Sequence, residues 1–411
     1  MKKIFALFFI CASVFLCGCY DASEIEETAY LIALGIDSTG EEGGYQYTFQ
    51  LAAPLAISGG GVEEGGGGSS DGGSENKTVK NVLIGAPDFY TAKNMLTNYL
   101  SKSLNMSHLK LIVCSEDFAQ NSLKKHAELF LQEREIRPGT FVALSDGKAE
   151  EFLKAVNPDL EGSTSKYYEL SNSEKTLIYA PSVRLSDFLN SSENFDKSAV
   201  LPLAVTSYKE SADEFNVEED DSGIKNSSQN RVSDSKAELY GMGIFKDGVL
   251  KGKMSGDEAL FYNILTGSEK RFTFSVTDKK NEGEVISFDV QVLKKPDFII
   301  SEFENSLNIT AELLLNMEYI GAAPPPGYKN NEEILSVGEE TLKNEINAFL
   351  LKTSREFSAD ILKTERLYKT RFLTLEDFEK SSYEEKYKNA VFYTDIKRSN
   401  KSKSTLSGDI D

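Results

Sequence analysis

The sequence contains no tryptophan and only two histidines, His108 and His126, in 411 residues. That scarcity removes most catalytic constellations at once. A Cys/His dyad would have to join one of these histidines to Cys114, since the other three cysteines, Cys11, Cys17 and Cys19, cluster at the N-terminus. Cys114 ends the run LKLIVC, where a thiol reads as a buried core residue. His108 enters that strand-like run, and His126 follows Lys125 in a helical stretch. No H-E-x-x-H, paired C-x-x-C or P-loop pattern occurs, and the one G-x-S-x-G spelling, Gly68 to Gly72, falls inside a glycine-serine tract without the strand-turn-helix pattern that a nucleophile elbow requires. The lack of Trp removes the usual sugar-stacking platform, and 65 acidic residues generate carboxylate pairs at any spacing by chance. These absences point to binding or assembly, with no catalytic, cofactor or metal residues to assign.

Long apolar runs are also scarce, and the one that exists is diagnostic. Lys2 and Lys3 precede an apolar stretch from Ile4 to Leu16, about 13 residues and so shorter than the ~20 needed to span a bilayer. A charged start, a short apolar middle and a small-residue exit are the grammar of a secretory signal. Its end, Leu16-Cys17-Gly18-Cys19, resembles a lipobox, which implies that Cys19 carries a thioether-linked diacylglycerol and becomes the mature N-terminus. Two acyl chains hold a protein where one binds only marginally. With Cys11 and Cys17 removed and Cys19 acylated, Cys114 has no partner for an intramolecular disulfide.

Positive charge is the third deficit. The net charge is −20, and it becomes two units more negative when Lys2 and Lys3 leave. Such a chain is repelled by nucleic acid and by anionic headgroups, so membrane attachment is expected from the lipid and not from a basic patch.

What is present reads as α+β. Tyr30 to Asp37 and Tyr45 to Ala53 form a hairpin about Ser38 to Gly44. Ser58 to Ser74 holds nine glycines without a phosphate-loop pattern, and is expected to be a solvated insertion. From Thr78 strands and helices alternate: Val79 to Ala86, a helix opened by Pro87 and running to Lys102, Leu109 to Cys114, a helix Glu116 to Arg134, Thr140 to Leu144, and a helix Lys148 to Val156. Beyond Asn157-Pro158 come a helix Val183 to Leu189, a strand Ala199 to Tyr208, and an acidic stretch Lys209 to Ser235. That stretch fails as a calcium loop, because Gln229 stands where a bidentate Glu is required when Glu218 is first and Gly223 the turn. A second hairpin, Leu239 to Phe245 with Val249 to Lys253, precedes a helix Asp257 to Leu265 and strands at Arg271 to Thr277, Val285 to Leu293, Phe298 to Phe303 and Leu307 to Tyr319. Pro324 to Pro326 leads into a long helix Glu332 to Phe357, two further helical stretches and a strand Ala390 to Ile396. The expected organisation is a signal peptide at 1–18, an N-terminal α/β domain with mixed sheet and helices at 19–156 (Gly-rich insertion 58–74), a middle domain at 157–270 (acidic loop 209–235), a C-terminal antiparallel sheet packed with helices at 271–398, and a disordered tail at 399–411.

Several short motifs together resemble the Ger(x)C, or GerAC-like, lipoproteins, the C subunits of GerA-type germinant receptors of spore formers. The resemblance starts at Gly18-Cys19-Tyr20-Asp21 with Glu24-Ile25. It continues through Gly35-Ile36-Asp37, Thr48 and Gln50 before Pro54, His108 to Ala119 with Glu116, Glu133 to Arg137, Phe141 to Leu144 with Gly147, and Gly241-x-Gly-Ile-Phe-Lys with Gly252 and Glu258. Asp360-Ile361 and the strand to Lys397 fit more loosely. Tyr20 stands where the family usually has Trp, and the family's C-terminal Trp residues are missing. The resemblance implies a three-domain α+β lipoprotein with no enzymatic activity, acylated at Cys19, on the outer face of the cell membrane and of the inner spore membrane. It would assemble with integral-membrane A and B subunits in spore germination. The competing reading from the residues alone is an extracytoplasmic solute-binding lipoprotein of a transporter, with an envelope enzyme third.

Overall fold

The computed structural model describes residues 27–40, 43–52, 79–158, 160–193, 197–206, 237–281, 284–304 and 306–399. The signal segment, Cys19, the Gly-rich insertion and the acidic loop lie outside them, as does the tail beyond Ser399.

The elements up to residue 254 are β1 (Thr28–Ser38), β2 (Tyr45–Ala52), β3 (Val79–Ala86), α1 (Phe89–Leu100), β4 (Ser103–Asn105), β5 (Leu111–Cys114), α2 (Glu116–Asn121), α3 (Leu123–Gln132), β6 (Phe141–Ser145), α4 (Ala149–Ala155), α5 (Thr164–Ser171), α6 (Leu185–Glu193), β7 (Ser198–Thr206), β8 (Ala237–Lys246) and β9 (Val249–Met254). Eight of these strands run in the order β3-β2-β1-β5-β6-β7-β8-β9, and β4 pairs with the start of β1, making nine. The centre, β1-β5-β6-β7, is parallel, and both flanks are antiparallel. Central parallel strands are covered on both faces and so read as unbroken apolar runs. β5 (LIVC) is buried at every position, and β7 at all but its last. One continuous sheet therefore crosses position 156.

After α7 (Gly256–Thr266) the chain builds a second sheet from β10 (Arg271–Thr277), β11 (Val285–Phe303), β12 (Ser306–Tyr319) and, after helices α8 (Asn331–Arg355), α9 (Glu365–Lys369), α10 (Leu375–Lys380) and α11 (Tyr383–Lys388), β13 (Val391–Arg398). β10, β11 and β12 pair antiparallel. Burial alternates along β12, as expected when helices cover only one face. α8 lays Ile334, Leu342, Ile346, Phe349 and Leu350 on that face. Its Gly338 is required there, because a Cβ would stand 2.7 Å from Phe288 Cζ.

Several sequence expectations shift. β13 joins β12 in parallel, because the long crossover through α8 to α11 returns the chain to the end from which β12 starts. Val285 to Leu293 and Phe298 to Phe303 are one strand: the ladder slips register between Lys294 and Asp297, so Pro296, which has no N–H to give, needs no partner. The single helix expected over Glu116 to Arg134 breaks at Ser122, whose φ of −135° is not helical. Pro87 sits just outside α1, and Asp88 is the cap, accepting from Thr91 N at 2.9 Å. His108 lies in a turn before β5, not in the strand. The short β4 and the helix α5, in a Ser-rich stretch, escape the hydrophobic pattern altogether.

Candidate interaction surface

The residues singled out as candidate reactive groups are dispersed: Cys114 and His126 are packed away, whereas His108 is exposed in a turn. Cys114 is fully buried, its thiol facing the Ala143 carbonyl at 3.5 Å, and burial pushes its pKa far up, the opposite of an activated thiol. His126 is buried among Tyr45, Phe118 and Phe130, with Nδ1 3.0 Å from the Ser122 carbonyl and Nε2 3.4 Å from the Tyr47 hydroxyl. Burial holds its pKa below the usual imidazole range. His108 stacks edge-on with Tyr30, their ring centres 5.2 Å apart. Among the described residues no three His, Cys, Asp or Glu side chains group to hold a metal ion, and no helix is long and apolar enough to cross a membrane.

Polar groups do converge around α4. Asp37, buried at the end of β1, accepts from Ala149 N at 2.7 Å and Glu150 N at 3.1 Å, so it caps a helix far away in sequence. Burial raises its pKa despite those two bonds. Gln50 donates to the Leu153 carbonyl at 3.0 Å and accepts from the Tyr168 hydroxyl at 2.7 Å, tying α4 to α5. A Cβ on Gly35 would stand 3.0 Å from Leu153 Cδ1 and 3.1 Å from Thr48 Cβ, so α4 crosses β1 only because Gly35 is small. Lys253 joins β9 to Glu116 at 3.0 Å and Asp146 at 2.6 Å; burial works against its charge, but the two carboxylates outweigh it and its pKa rises.

The junction of the two sheets is built similarly. A Cβ on Gly252 would stand 2.5 Å from Phe357 Cε1. Ser255 and Glu258 form a capping box at the start of α7, and Glu258 also accepts from Lys352 of α8 at 2.6 Å. Asp360 gathers the connection after α8, accepting from Glu365 N at 2.7 Å, the Tyr383 hydroxyl at 2.9 Å and the Thr364 hydroxyl at 3.1 Å.

Among the described residues two exposed regions are candidate contact surfaces. The first is a groove of about 520 Å³ between edge strand β3 and helix α1, lined by Lys80 to Gly85 with Met95 and Tyr99. The second is the uncovered face of the C-terminal sheet, where Ile299, Thr310 and Tyr393 stand side by side on three strands. Val391 and Phe303, the latter 68% exposed, extend this row. Neither surface can be found from the hydrophobic pattern, because both depend on which strand is an edge and which face the helices leave bare.

Comparison with known proteins decides what these features belong to. Residues 21–206 match the family described as spore germination protein N-terminal domain, and residues 240–399 match spore germination B3/GerAC like, C-terminal. The chain belongs to the GerAC-like family of spore germination proteins. It is 24% identical over 301 residues to spore germination protein B3 of Bacillus subtilis (strain 168), covering 71% of this chain and 68% of that one. Spore germination protein A3 of the same strain is 24% identical over 181 residues, covering 43% and 44%. The crystal structure of the GerBC protein superposes with a TM-score of 0.51 at 16% identity over 89% of this chain and 96% of the other, so the two share a fold.

The GerAC-like motif residues thus have visible physical roles. Gly35, Asp37, Thr48 and Gln50 form the seat of α4, and Glu116 anchors Lys253. Gly241 and Gly243 serve β8: Gly241 has φ +92°, and a Cβ on Gly243 would stand 2.5 Å from Leu144 Cδ2. Gly252, Glu258 and Asp360 hold the junction to the C-terminal half. In this chain they build the fold.

Proposed function

We propose that this chain is the non-catalytic, lipid-anchored C subunit of a germinant receptor, required for spore germination through assembly and signalling with integral-membrane A and B subunits. The observation that carries this reading is the pair of matches to spore germination families, which occur in order and together reach from residue 21 to residue 399. Two relatives that bear the names spore germination protein B3 and A3 support it. The anchor is the diacylglyceryl group at Cys19, which places the protein on the outer face of the cell membrane and of the inner spore membrane. Pegs such as Asp37 and Gln50 keep the fold rigid, and the work is done by surfaces turned toward membrane neighbours.

The test is deletion of the gene in its spore-forming host, with nutrient-triggered and receptor-independent germination measured side by side. The expected result is selective loss of the nutrient response, with co-purification of the A and B subunits on the intact protein. Failure to form that complex, together with tight binding of a small solute by the purified chain, would replace this reading with the solute-binding one.

A further inference from the structure

β3 forms one edge of the large sheet: it pairs with β2 and with no other described strand. Every second residue of an edge strand turns its N–H and C=O away from the sheet, a template for another strand. Proteins guard such edges with charge, proline or a bulge. β9 carries Lys251 and Lys253 and has Phe357 packed on Gly252. β13 carries Asp395, Lys397 and Arg398, and β10 shows Arg271 and Thr273 to solvent. The eight residues of β3, VKNVLIGA, hold one charge, Lys80 near the start, and no proline. Its ladder with β2 runs from Val79 to Ala86 without a register shift.

This edge is also walled. α1 lies alongside, and the groove of about 520 Å³ between them is lined by six consecutive strand residues, Lys80 to Gly85, with Met95 and Tyr99 facing them from the helix. A wall of six residues is ~20 Å long at ~3.3 Å each, a length that suits an extended chain better than a compact solute. Leu83 is 40% exposed, Met95 49% and Tyr99 63%, which offers pockets for alternate side chains of an added strand. Asn81 Oδ1, on the same edge, is buried with no hydrogen-bond partner among the described residues, an acceptor that an incoming N–H would satisfy.

Register fixes where the groove opens. Leu31, near the start of β1, lies opposite Leu51, and Ala52 lies opposite Val79, so the Val79 end of β3 is the end at which the chain enters β1. Tyr20 to Glu27 separate Thr28 from Cys19, a reach of ~30 Å at most. A segment rising from the bilayer beside an acylated Cys19 meets the groove at that end. A second copy fits less well. Two β3 strands paired antiparallel about a two-fold axis point their Thr28 ends in opposite directions, which works against holding both beside one membrane.

We propose that β3 and α1 take up an extended, uncharged segment of an integral-membrane receptor subunit as an added strand, its alternate apolar side chains packing against Leu83, Met95 and Tyr99. The proposal rests on the receptor reading above, its lipid anchor included, and names the surface through which assembly occurs.

The experiment isolates the intact receptor from spore membranes through a tag on this chain and compares its amide hydrogen exchange with that of the full chain alone. The amides of Lys80 to Gly85 should slow about tenfold or more on assembly, and those of β10 should not change. Leu83→Lys combined with Met95→Lys places the missing guard in the groove. Both positions are exposed, so the melting temperature of the chain should hold while recovery of the A and B subunits falls about tenfold or more, because the lysines would be buried unpaired. Unchanged exchange at Lys80 to Gly85 in a receptor that does assemble, or full recovery with both lysines present, would overturn the proposal. Protection in the chain alone that grows with its concentration would give the groove to a second copy, and protection that vanishes on deletion of residues 59–73 would give it to the chain itself; either overturns the proposal. A parent chain that brings down neither the A nor the B subunit would refute the receptor reading, and this proposal with it.

Discussion

Replacing Asp37 by Ala is the most informative single perturbation of the fold, because one carboxylate seats a helix that begins more than a hundred residues later. Two charge-assisted bonds, from Ala149 N and Glu150 N, disappear. Removing an N-cap costs about 1 kcal/mol and at most ~2. Burial of the carboxylate works in the other direction, as its raised pKa shows, so the net loss for Asp37→Ala should be about 1 kcal/mol or less. Asp37→Asn keeps one acceptor and should lose roughly half as much. The raised pKa also fixes the sign of the pH dependence. Stability tied to this group is fully present below its ordinary value of 3.8 and is lost as pH rises through the folded value. Asn does not titrate, so the deficit of Asp37→Asn relative to the parent should be largest near pH 3 to 4 and narrow as pH rises. Urea unfolding followed by far-UV circular dichroism reads this directly, and urea keeps a chain of pI 4.8 dispersed. A deficit that widens with pH would mean that the backbone donors favour the charged carboxylate more than burial penalises it, and the reasoning would fail.

Cys19→Ala should release the protein from membranes into the soluble fraction, and mass spectrometry of the parent should find a diacylglyceryl Cys19; an unmodified mature N-terminus would contradict the lipobox reading. His126 is held neutral by burial, with the Ser122 carbonyl and Asp88 favouring its charged form and Lys125 opposing it. Its folded pKa is depressed, so the stability it contributes is present above the ordinary value of 6.5 and falls away as pH drops toward the folded value. His126→Phe should therefore lose less melting temperature than the parent between pH 7.5 and 5.5, and equal losses would show that His126 does not titrate in that range.

The sequence by itself determined most of the element order and the GerAC-like relationship, and it carries the apolar leader and Cys19 from which the anchor is proposed. These are local properties: an apolar run of a given length, a hairpin turn, a helix period and a short motif are all set by near neighbours. Gly35-Ile36-Asp37 could be recognised as a motif, yet its meaning lay with Ala149 and Leu153, which only the packed structure brings to it. The tertiary structure alone decided that β7 to β9 continue the sheet begun by β1, that β13 enters its sheet in parallel, and that β3 is an edge. Strand partners are chosen by burial and chain connection over long separations, and a strand's own residues look alike in either sense of pairing.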